Sequence, residues 1–208
     1  MRDAVISAYL DRLASSDPVP GGGATAGFLG AQSAALVHMV AALTVGKEKY
    51  ANDEQRNQKA LKLSEQFMKE FLDLMQEDVK AYERVAQAYK LSKDTEVQKD
   101  IRAEAIQRAL NGATLIPMHM MEKGQAIIAL AQELVGHSNP NVVSDLAVAA
   151  VNGYAAMEAA YWNVVINLSN LNDEKAKAAY EKTTRLLLEV SKEMRDDICQ
   201  RTREIING

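Results

Sequence analysis

The chain contains one cysteine and no concentration of positive charge, and these two shortages exclude different classes of protein. Cys199 has no second cysteine with which to form an internal disulfide, so a reducing compartment is the simplest expectation. The formal net charge is −4, and acidic and basic residues alternate along the chain. Because binding to nucleic acid requires a concentrated basic surface, we expect no nucleic-acid partner.

The N-terminal stretch lacks the pattern of a secretion signal, because Asp3 and Asp11 stand where such a signal has its apolar core. We therefore expect a cytoplasmic protein. Residues 24–46 contain no Asp, Glu, Lys or Arg and are long enough to cross a bilayer. That stretch is rich in Ala and Gly, however, and lacks the Leu and Ile density of a spanning helix. We expect a buried central helix and no membrane partner.

Clustered metal ligands and activated nucleophiles are also missing from the sequence. His38, His119 and His137 are spread over three segments, and the Glu-x-x-His pairs of a di-iron bundle are absent. No Ser or Cys stands in a nucleophile motif. We predict that the protein has no metal site and that the three histidines serve packing or lie on the surface.

Helical periodicity is what the sequence does contain. No segment alternates apolar and polar residues with period two, whereas apolar residues recur at three- and four-residue spacing over residues 52–89 and again over 172–206. The pattern predicts an all-α fold, a single-domain bundle of long, largely antiparallel helices that covers residues 1–208.

Several boundaries of these helices are also predicted. Asp3 is a candidate N-terminal cap for a short first helix, residues 172–174 are predicted to cap the start of the last helix, and Gly46 suits the C-terminal end of the apolar helix 24–46. Asn111-Gly112 is expected to end a helix that spans residues 94–110, and Pro117 is expected to kink or restart the next one.

The helix predicted over residues 138–168 organises the chain, because it is apolar almost all round and yet carries a row of polar side chains. At about 100° per residue, Asp145, Asn152, Asn163 and Asn167 fall on one narrow stripe. An unpaired amide or carboxylate costs a few kcal/mol to bury, so this stripe requires partners or a ligand.

Two nearly charge-free helices, 24–46 and 146–170, provide more apolar helical surface than one small bundle readily encloses. A homo-oligomer is therefore expected, although burial within a single chain also satisfies the pattern.

The glycine run Gly21-Gly22-Gly23 lies at the entrance to the first apolar helix. No strand precedes it and no Lys-Ser or Lys-Thr follows it, so neither a dinucleotide fingerprint nor a P-loop fits. Two interpretations stay open: a helix N-terminus whose exposed amides receive an anionic or carbonyl group, and glycine used for close helix packing.

Carboxylates and one lysine are the remaining candidates for chemistry. Asp78 lies near the buried side of an amphipathic helix, where burial can move its pKa into the working range of an acid or base. Asp145 is followed at once by apolar residues, and stabilisation of the first turn of its helix is the alternative role for its carboxylate. Lys47 offers a cation, and the neighbouring Lys49 shows that a plain surface lysine is the alternative.

Three blocks of this sequence together resemble one known family. PVPGGGATAGFLGAQSAALVHMVAALTVGKEKY is similar to the opening signature of the formiminotransferase-cyclodeaminase C-terminal family, which includes stand-alone methenyltetrahydrofolate cyclohydrolases. SNPNVVSDLAVAAVNG followed by NVVINL is similar to its second block, and the step from Asp78 to Tyr82 to its third. The resemblance spans essentially the whole chain.

This resemblance implies an all-helical homodimer that acts on a tetrahydrofolate derivative, with no other cofactor. It implies hydrolysis of 5,10-methenyltetrahydrofolate, or alternatively deamination of formiminotetrahydrofolate, and a non-catalytic folate-binding or oligomerisation module is the alternative of another class. Asp145 or Asp78 would be the base or electrostatic stabiliser, unranked by the sequence, and Lys47 a proton donor or an anchor for the glutamate tail. The substrate-binding residues it implies are Pro20, Gly21, Gly22, Gly23, Asn139, Ser144, Asn163 and Asn167.

The length of the organising helix divides its polar stripe. At about 1.5 Å per residue, Asp145 and Asn163 are roughly 27 Å apart, so one site on one straight helix does not easily use both. Asn163 and Asn167 therefore either bond neighbouring helices or meet Asp145 of an antiparallel partner. Of the two ends, the sequence favours Asn139 and Asp145 as the catalytic one.

Overall fold

The computed structural model describes residues 5–208, and in that range it contains six α-helices and no strand, which confirms the all-α prediction. Two short 3₁₀ turns, Glu48–Asp53 and Pro140–Val142, precede the third and fifth helices. In chain order the helices are α1 (Ile6–Leu13), α2 (Gly22–Ala42), α3 (Glu54–Tyr89), α4 (Glu96–Leu134), α5 (Val143–Leu168) and α6 (Glu174–Asn207).

Helix α2 is the centre of the bundle and packs against α3, α4 and α5. Its small residues permit close approach: Gly30 lies against the ring of Phe71, where a Cβ would overlap the ring. The buried hydroxyl of Ser33 donates to the carbonyl of Ala149 on α5 at 2.7 Å. Length and composition alone would let α2 span a membrane, but more than half of its apolar window is buried within the protein.

Helices α2 and α5 run antiparallel, which places their opposite ends together. At one end the Asn139 amide N–H donates to Thr44 Oγ1 at 3.0 Å, and at the other end Gly22 lies beside the side chain of Asn163. One end of the polar stripe on α5 therefore lies near the loop that follows α2. The other end, at Asn163, lies beside the first turn of α2.

Helix α4 is continuous through Asn111-Gly112 and Pro117, so the predicted end at residue 110 and the predicted restart at Pro117 are wrong. Leu110 and Met118, on either side of these breakers, are both buried in the main hydrophobic core. Most helical stability in proteins comes from packing of this kind, and here the packing outweighs the roughly 3 kcal/mol cost of an interior proline.

The other boundaries differ less from the predictions. Helix α2 ends at Ala42 instead of near residue 46, and Gly46 lies in the following turn with φ of +74°, the left-handed region that favours glycine. Helix α6 begins where predicted, with the Asp173 carboxylate accepting two backbone N–H groups of its first turn at 3.0 Å. The predicted cap at Asp3 lies outside the described residues.

Candidate active site

The first turn of α2 and the middle of α3 bring Asp78 onto the glycine run. Gly23 is buried, and a Cβ at this position would overlap the Asp78 carboxylate. The same carboxylate accepts the backbone N–H of Ala24, one of the donors that a helix leaves unsatisfied in its first turn. Because Gly23 has no side chain, the Asp78 carboxylate can reach the N-terminus of α2. Gly23 therefore permits both close helix packing and access to the backbone amides at the start of the helix.

Burial dominates the electrostatics of Asp78. Desolvation raises the pKa of its carboxyl group from 3.8 to about 6, and the hydrogen bond from Ala24 opposes only part of that rise. A carboxyl group with a pKa of about 6 exchanges its proton close to neutral pH, which is the property that general acid–base catalysis requires.

Asp78 lines a cleft of about 310 Å³, which lies within the usual size range of small-molecule sites. The cleft brings together Gly21, Gly22, Gly23, Asp78, Asn163 and Asn167 of the predicted site. Pro20 is buried beside it, joined to the cleft residue Val19 by a cis peptide bond.

Sequence reasoning missed the apolar wall of this cleft. Tyr82, Val85 and Tyr89 follow Asp78 along one face of α3, at intervals of four, three and four residues, and all three line the cleft. The two tyrosines are 45% exposed, so their rings are available to a bound molecule. The spacing is visible in the sequence, where Tyr82 is one of the apolar residues that recur over residues 52–89, but only the cleft shows that these rings are accessible.

The remaining predicted residues lie at the opposite end of α2 and α5. Lys47 is exposed beyond α2, while Ser144 is exposed and Asp145 half-buried in the first turn of α5. Asn139 is buried in the loop before α5, where its side-chain oxygen accepts the Tyr50 hydroxyl at 3.1 Å. Within one chain the predicted site therefore forms two clusters, which we name by position: the α3 cleft around Asp78 and the α5 entrance around Asp145.

A larger groove of about 950 Å³ runs between α5 and α6. Its lining contains none of the predicted site residues, and its charges are of both signs, with Glu181 and Glu189 beside Lys182 and Arg185. Size alone does not make it the better candidate, because it lacks a convergent set of polar groups with a shifted pKa.

Two of the three histidines make ordinary contacts, and His119 is exposed. His38 Nδ1 lies 3.1 Å from the carbonyl of Leu61, and His137 Nδ1 lies 2.9 Å from the Asp53 carboxylate. Among residues 5–208, no three His, Cys, Asp or Glu side chains come together in a way that could hold a metal ion.

A family model described as formiminotransferase-cyclodeaminase matches residues 5–185 of this chain. The chain belongs to the formiminotransferase-cyclodeaminase family. Its membership confirms the resemblance carried by the glycine run, by Asp78 and by the polar stripe of α5.

Relatives of this family member fall under two names. It is 40% identical to a methenyltetrahydrofolate cyclohydrolase of Methylorubrum extorquens over 168 residues, which are 81% of each chain. It is 30% identical to the formimidoyltransferase-cyclodeaminase of Sus scrofa over 88% of its own length but only 34% of that longer protein. The structure of a formiminotetrahydrofolate cyclodeaminase from Thermotoga maritima is similar with a TM-score of 0.82, 28% identity, and coverage of 99% of this chain and 97% of that one.

Proposed function

We propose that this family member hydrolyses 5,10-methenyltetrahydrofolate to 10-formyltetrahydrofolate by general acid–base catalysis. The observation that carries the proposal is the Asp78 carboxyl group, which has a pKa of about 6 and stands at the open N-terminus of α2 inside a ligand-sized cleft. The 40% identity to a protein named methenyltetrahydrofolate cyclohydrolase supports the same reaction.

The chemistry needs a carboxylate for two reasons. The substrate is an amidinium cation, and an anionic Asp78 beside its one-carbon centre stabilises the approach of that cation. The same carboxylate accepts a proton from the water molecule that adds to this carbon. The carbon–oxygen bond forms as the oxygen–hydrogen bond breaks, and the proton stays on Asp78.

The second half of the reaction opens the ring. The bond between the one-carbon unit and nitrogen 5 breaks, nitrogen 5 receives the proton from Asp78, and the new hydroxyl loses its own proton to solvent as the formyl carbonyl forms. One water is consumed and one proton is released overall. No electron is transferred, so this reaction requires no redox cofactor.

The walls of the α3 cleft suit a flat aromatic substrate. Tyr82 and Tyr89 offer ring surfaces on one side, and the amides of Asn163 and Asn167 offer donors and acceptors on another. A pteridine ring needs both kinds of contact, because its faces are aromatic and its edge carries hydrogen-bonding groups.

The similarity to the Thermotoga maritima cyclodeaminase favours a second candidate reaction. In deamination of formiminotetrahydrofolate with a protonated formimino group, nitrogen 10 attacks the formimino carbon, and the bond from that carbon to the terminal nitrogen breaks as ammonia leaves. Asp78 would serve that reaction in the other order, first removing the proton from nitrogen 10 and then delivering it to the leaving nitrogen.

The test is a direct comparison of two substrates. We expect purified protein to accelerate the loss of the near-ultraviolet absorbance of 5,10-methenyltetrahydrofolate over buffer at the same pH, and to release less ammonia from 5-formiminotetrahydrofolate. Asp78→Asn should remove the acceleration, whereas Glu83→Gln, an exposed carboxylate on the same helix, should retain it. Ammonia release without ring opening would assign the protein to the deaminase, and activity on neither substrate would indicate a non-catalytic folate-binding module.

A further inference from the structure

Helices α3 and α4 each turn one face toward the α3 cleft. On α4, Arg102 lies within roughly 80° of Leu110 and Ala113 round the helix axis, and these two residues line the cleft. Only residues 90–95 join the two helices, so α4 runs antiparallel to α3. Arg102 therefore lies beside the last turn of α3, at the end of the cleft that is far from Asp78.

The guanidinium of Arg102 is held in place at that end. Its Nε and Nη2 groups donate to the carbonyl of Tyr89 at 3.3 and 3.1 Å. Its central carbon lies 5.6 Å from the centre of the Tyr89 ring, which is a cation–π contact. Because Tyr89 lines the cleft, these contacts fix a positive charge at the mouth of the cleft.

The fixed guanidinium keeps most of its donors for a ligand. A guanidinium has five N–H groups, and the Tyr89 carbonyl uses the edge formed by Nε and Nη2. Within residues 5–208 no Asp or Glu pairs with Arg102, whereas Lys99, about one turn earlier, is paired with Glu96 at 2.7 Å. The edge formed by the two terminal nitrogens is therefore available, and its planar fork matches a carboxylate.

The cleft and Arg102 carry opposite charges at opposite ends. The lining of the cleft contains the Asp78 carboxylate and no Lys or Arg. A ligand with a cationic centre near Asp78 and an anionic group near Arg102 is attracted at both ends. The substrate of the proposed reaction has this distribution of charge, because its amidinium is cationic and its glutamate tail is anionic.

The spacing of the two charges also fits that substrate. Tyr89 follows Asp78 by eleven positions, which is about 16 Å along α3. In 5,10-methenyltetrahydrofolate, about nine covalent bonds join the one-carbon centre to the nearer tail carboxylate and about eleven to the farther one, a reach of roughly 11–14 Å. The long side chain of Arg102 covers the remaining few ångströms.

We propose that Arg102 binds a carboxylate of the glutamate tail while the one-carbon centre lies at Asp78, so that Arg102 selects substrates with an acidic tail. The identity of the ligand rests on the proposed function, whereas the position of the cation does not. The tail has two carboxylates, so this contact is compatible with a second one from Lys47. The alternative role of Arg102 is structural, since its side chain satisfies a carbonyl at the C-terminus of α3.

A neutral copy of the substrate separates tail binding from the structural role. In the diamide of 5,10-methenyltetrahydrofolate, carboxamides of nearly the same shape replace both tail carboxylates. We expect wild-type protein to prefer the diacid by about tenfold in kcat/KM, mainly through KM, and Arg102→Gln to reduce this preference about fivefold. An Arg102 with only a structural role would lower the activity on both compounds by the same factor, and that result would overturn the proposal.

Arg108→Gln is the matched control. Arg108 is exposed on the same helix, about 120° away from Arg102 round its axis, and should keep the wild-type preference for the diacid. An equal fall in preference for both arginine variants would show a general effect of net charge and would also overturn the proposal.

Binding without turnover keeps this inference separate from the proposed reaction. Calorimetry with 5-formyltetrahydrofolate, which carries the same tail, and with its diamide should show the same loss of preference in Arg102→Gln as a ratio of Kd values. If the wild-type protein is inactive while the preference in binding depends on Arg102, the proposed function fails and the tail contact stands. If the wild-type protein is active and its preference survives in Arg102→Gln, the tail contact fails and the proposed function stands.

Discussion

The carboxylate of Asp78 lies directly against the α-carbon of Gly23, so that one residue without a side chain gives an acidic group access to the end of a helix. A helix N-terminus favours the anionic form, and burial favours the neutral form. The balance of the two leaves the pKa of Asp78 at about 6.

Replacement of Gly23 by alanine should therefore affect activity more than it affects folding. The new methyl group would overlap the Asp78 carboxylate, so the aspartate must move from the helix end. We expect a loss of roughly tenfold or more in kcat/KM and a destabilisation of about 1–3 kcal/mol. Gly112→Ala on α4 is the control, because its Cβ would meet no atom of the described residues within 4 Å, and wild-type activity of Gly23→Ala would contradict this role of Gly23.

The raised pKa of Asp78 makes stability depend on pH in a defined direction. The folded protein binds the proton up to about pH 6, whereas the unfolded chain releases it near 3.8, so the free energy of unfolding falls as pH rises through this window. Above pH 6 the folded protein has lost about 3 kcal/mol of stability through the ionisation of Asp78. Asp78→Asn should therefore be more stable than wild type at pH 7.5 and lose that advantage near pH 4, as measured by urea unfolding.

The same pKa should govern the reaction. If Asp78 acts as the base, kcat/KM for ring opening should rise with pH and level off above about pH 6 to 7. A profile that is flat between pH 5 and 7 after subtraction of the buffer rate would remove Asp78 from the role of base, even with activity present.

If the α5 entrance takes part in the site, as the family resemblance implies, Lys47 should hold the substrate instead of donating a proton. An ammonium group is repelled by the amidinium cation but attracted by the glutamate carboxylates at the other end of the molecule. Lys47→Ala should accordingly raise KM several-fold and leave kcat nearly unchanged, while Lys49→Ala, a neighbouring lysine that lies 5.5 Å from the centre of the Tyr50 ring, should alter neither. A fall in kcat at constant KM would make Lys47 the proton donor.

The aromatic wall of the cleft predicts a further effect on binding. Tyr82→Ala and Tyr89→Ala should each raise KM by about threefold to tenfold, because an aromatic contact contributes about 0.5–1.5 kcal/mol. Tyr180→Ala serves as the control, since that tyrosine donates to Asn111 and does not line the cleft. Unchanged KM values for both cleft variants would show that the substrate does not use this wall.

Local patterns in the sequence predicted most of the helices, but tertiary packing decided the rest. Pro117 and Gly112 are strong local breakers, and nothing in their neighbourhood shows that the core on both sides keeps α4 straight through them. The start of α6 was predicted correctly because its signal, the Asp173 cap, is itself local.

The candidate site shows the same division. The rise per residue of a helix was enough to predict that Asp145 and Asn163 fall in separate clusters, because that distance depends only on helix geometry. The contact of Asp78 with Gly23 was not predictable, since 55 positions of chain separate them and only the packing of α2 on α3 joins them. The burial that raises the pKa of Asp78 also comes from the packing of these helices, and this burial favours the α3 cleft as the active site.

Trp162 is the only tryptophan of the chain, and its exposed indole makes its fluorescence sensitive to any molecule that covers this face of α5. Indole emission shifts to shorter wavelength when water is excluded from the ring. An isolated chain should therefore emit as a solvent-exposed tryptophan, and a paired one as a buried tryptophan. If two copies of the chain pair over this face, a dilution series followed by emission wavelength alone would give the dissociation constant of the pair, with no label attached and no substrate present.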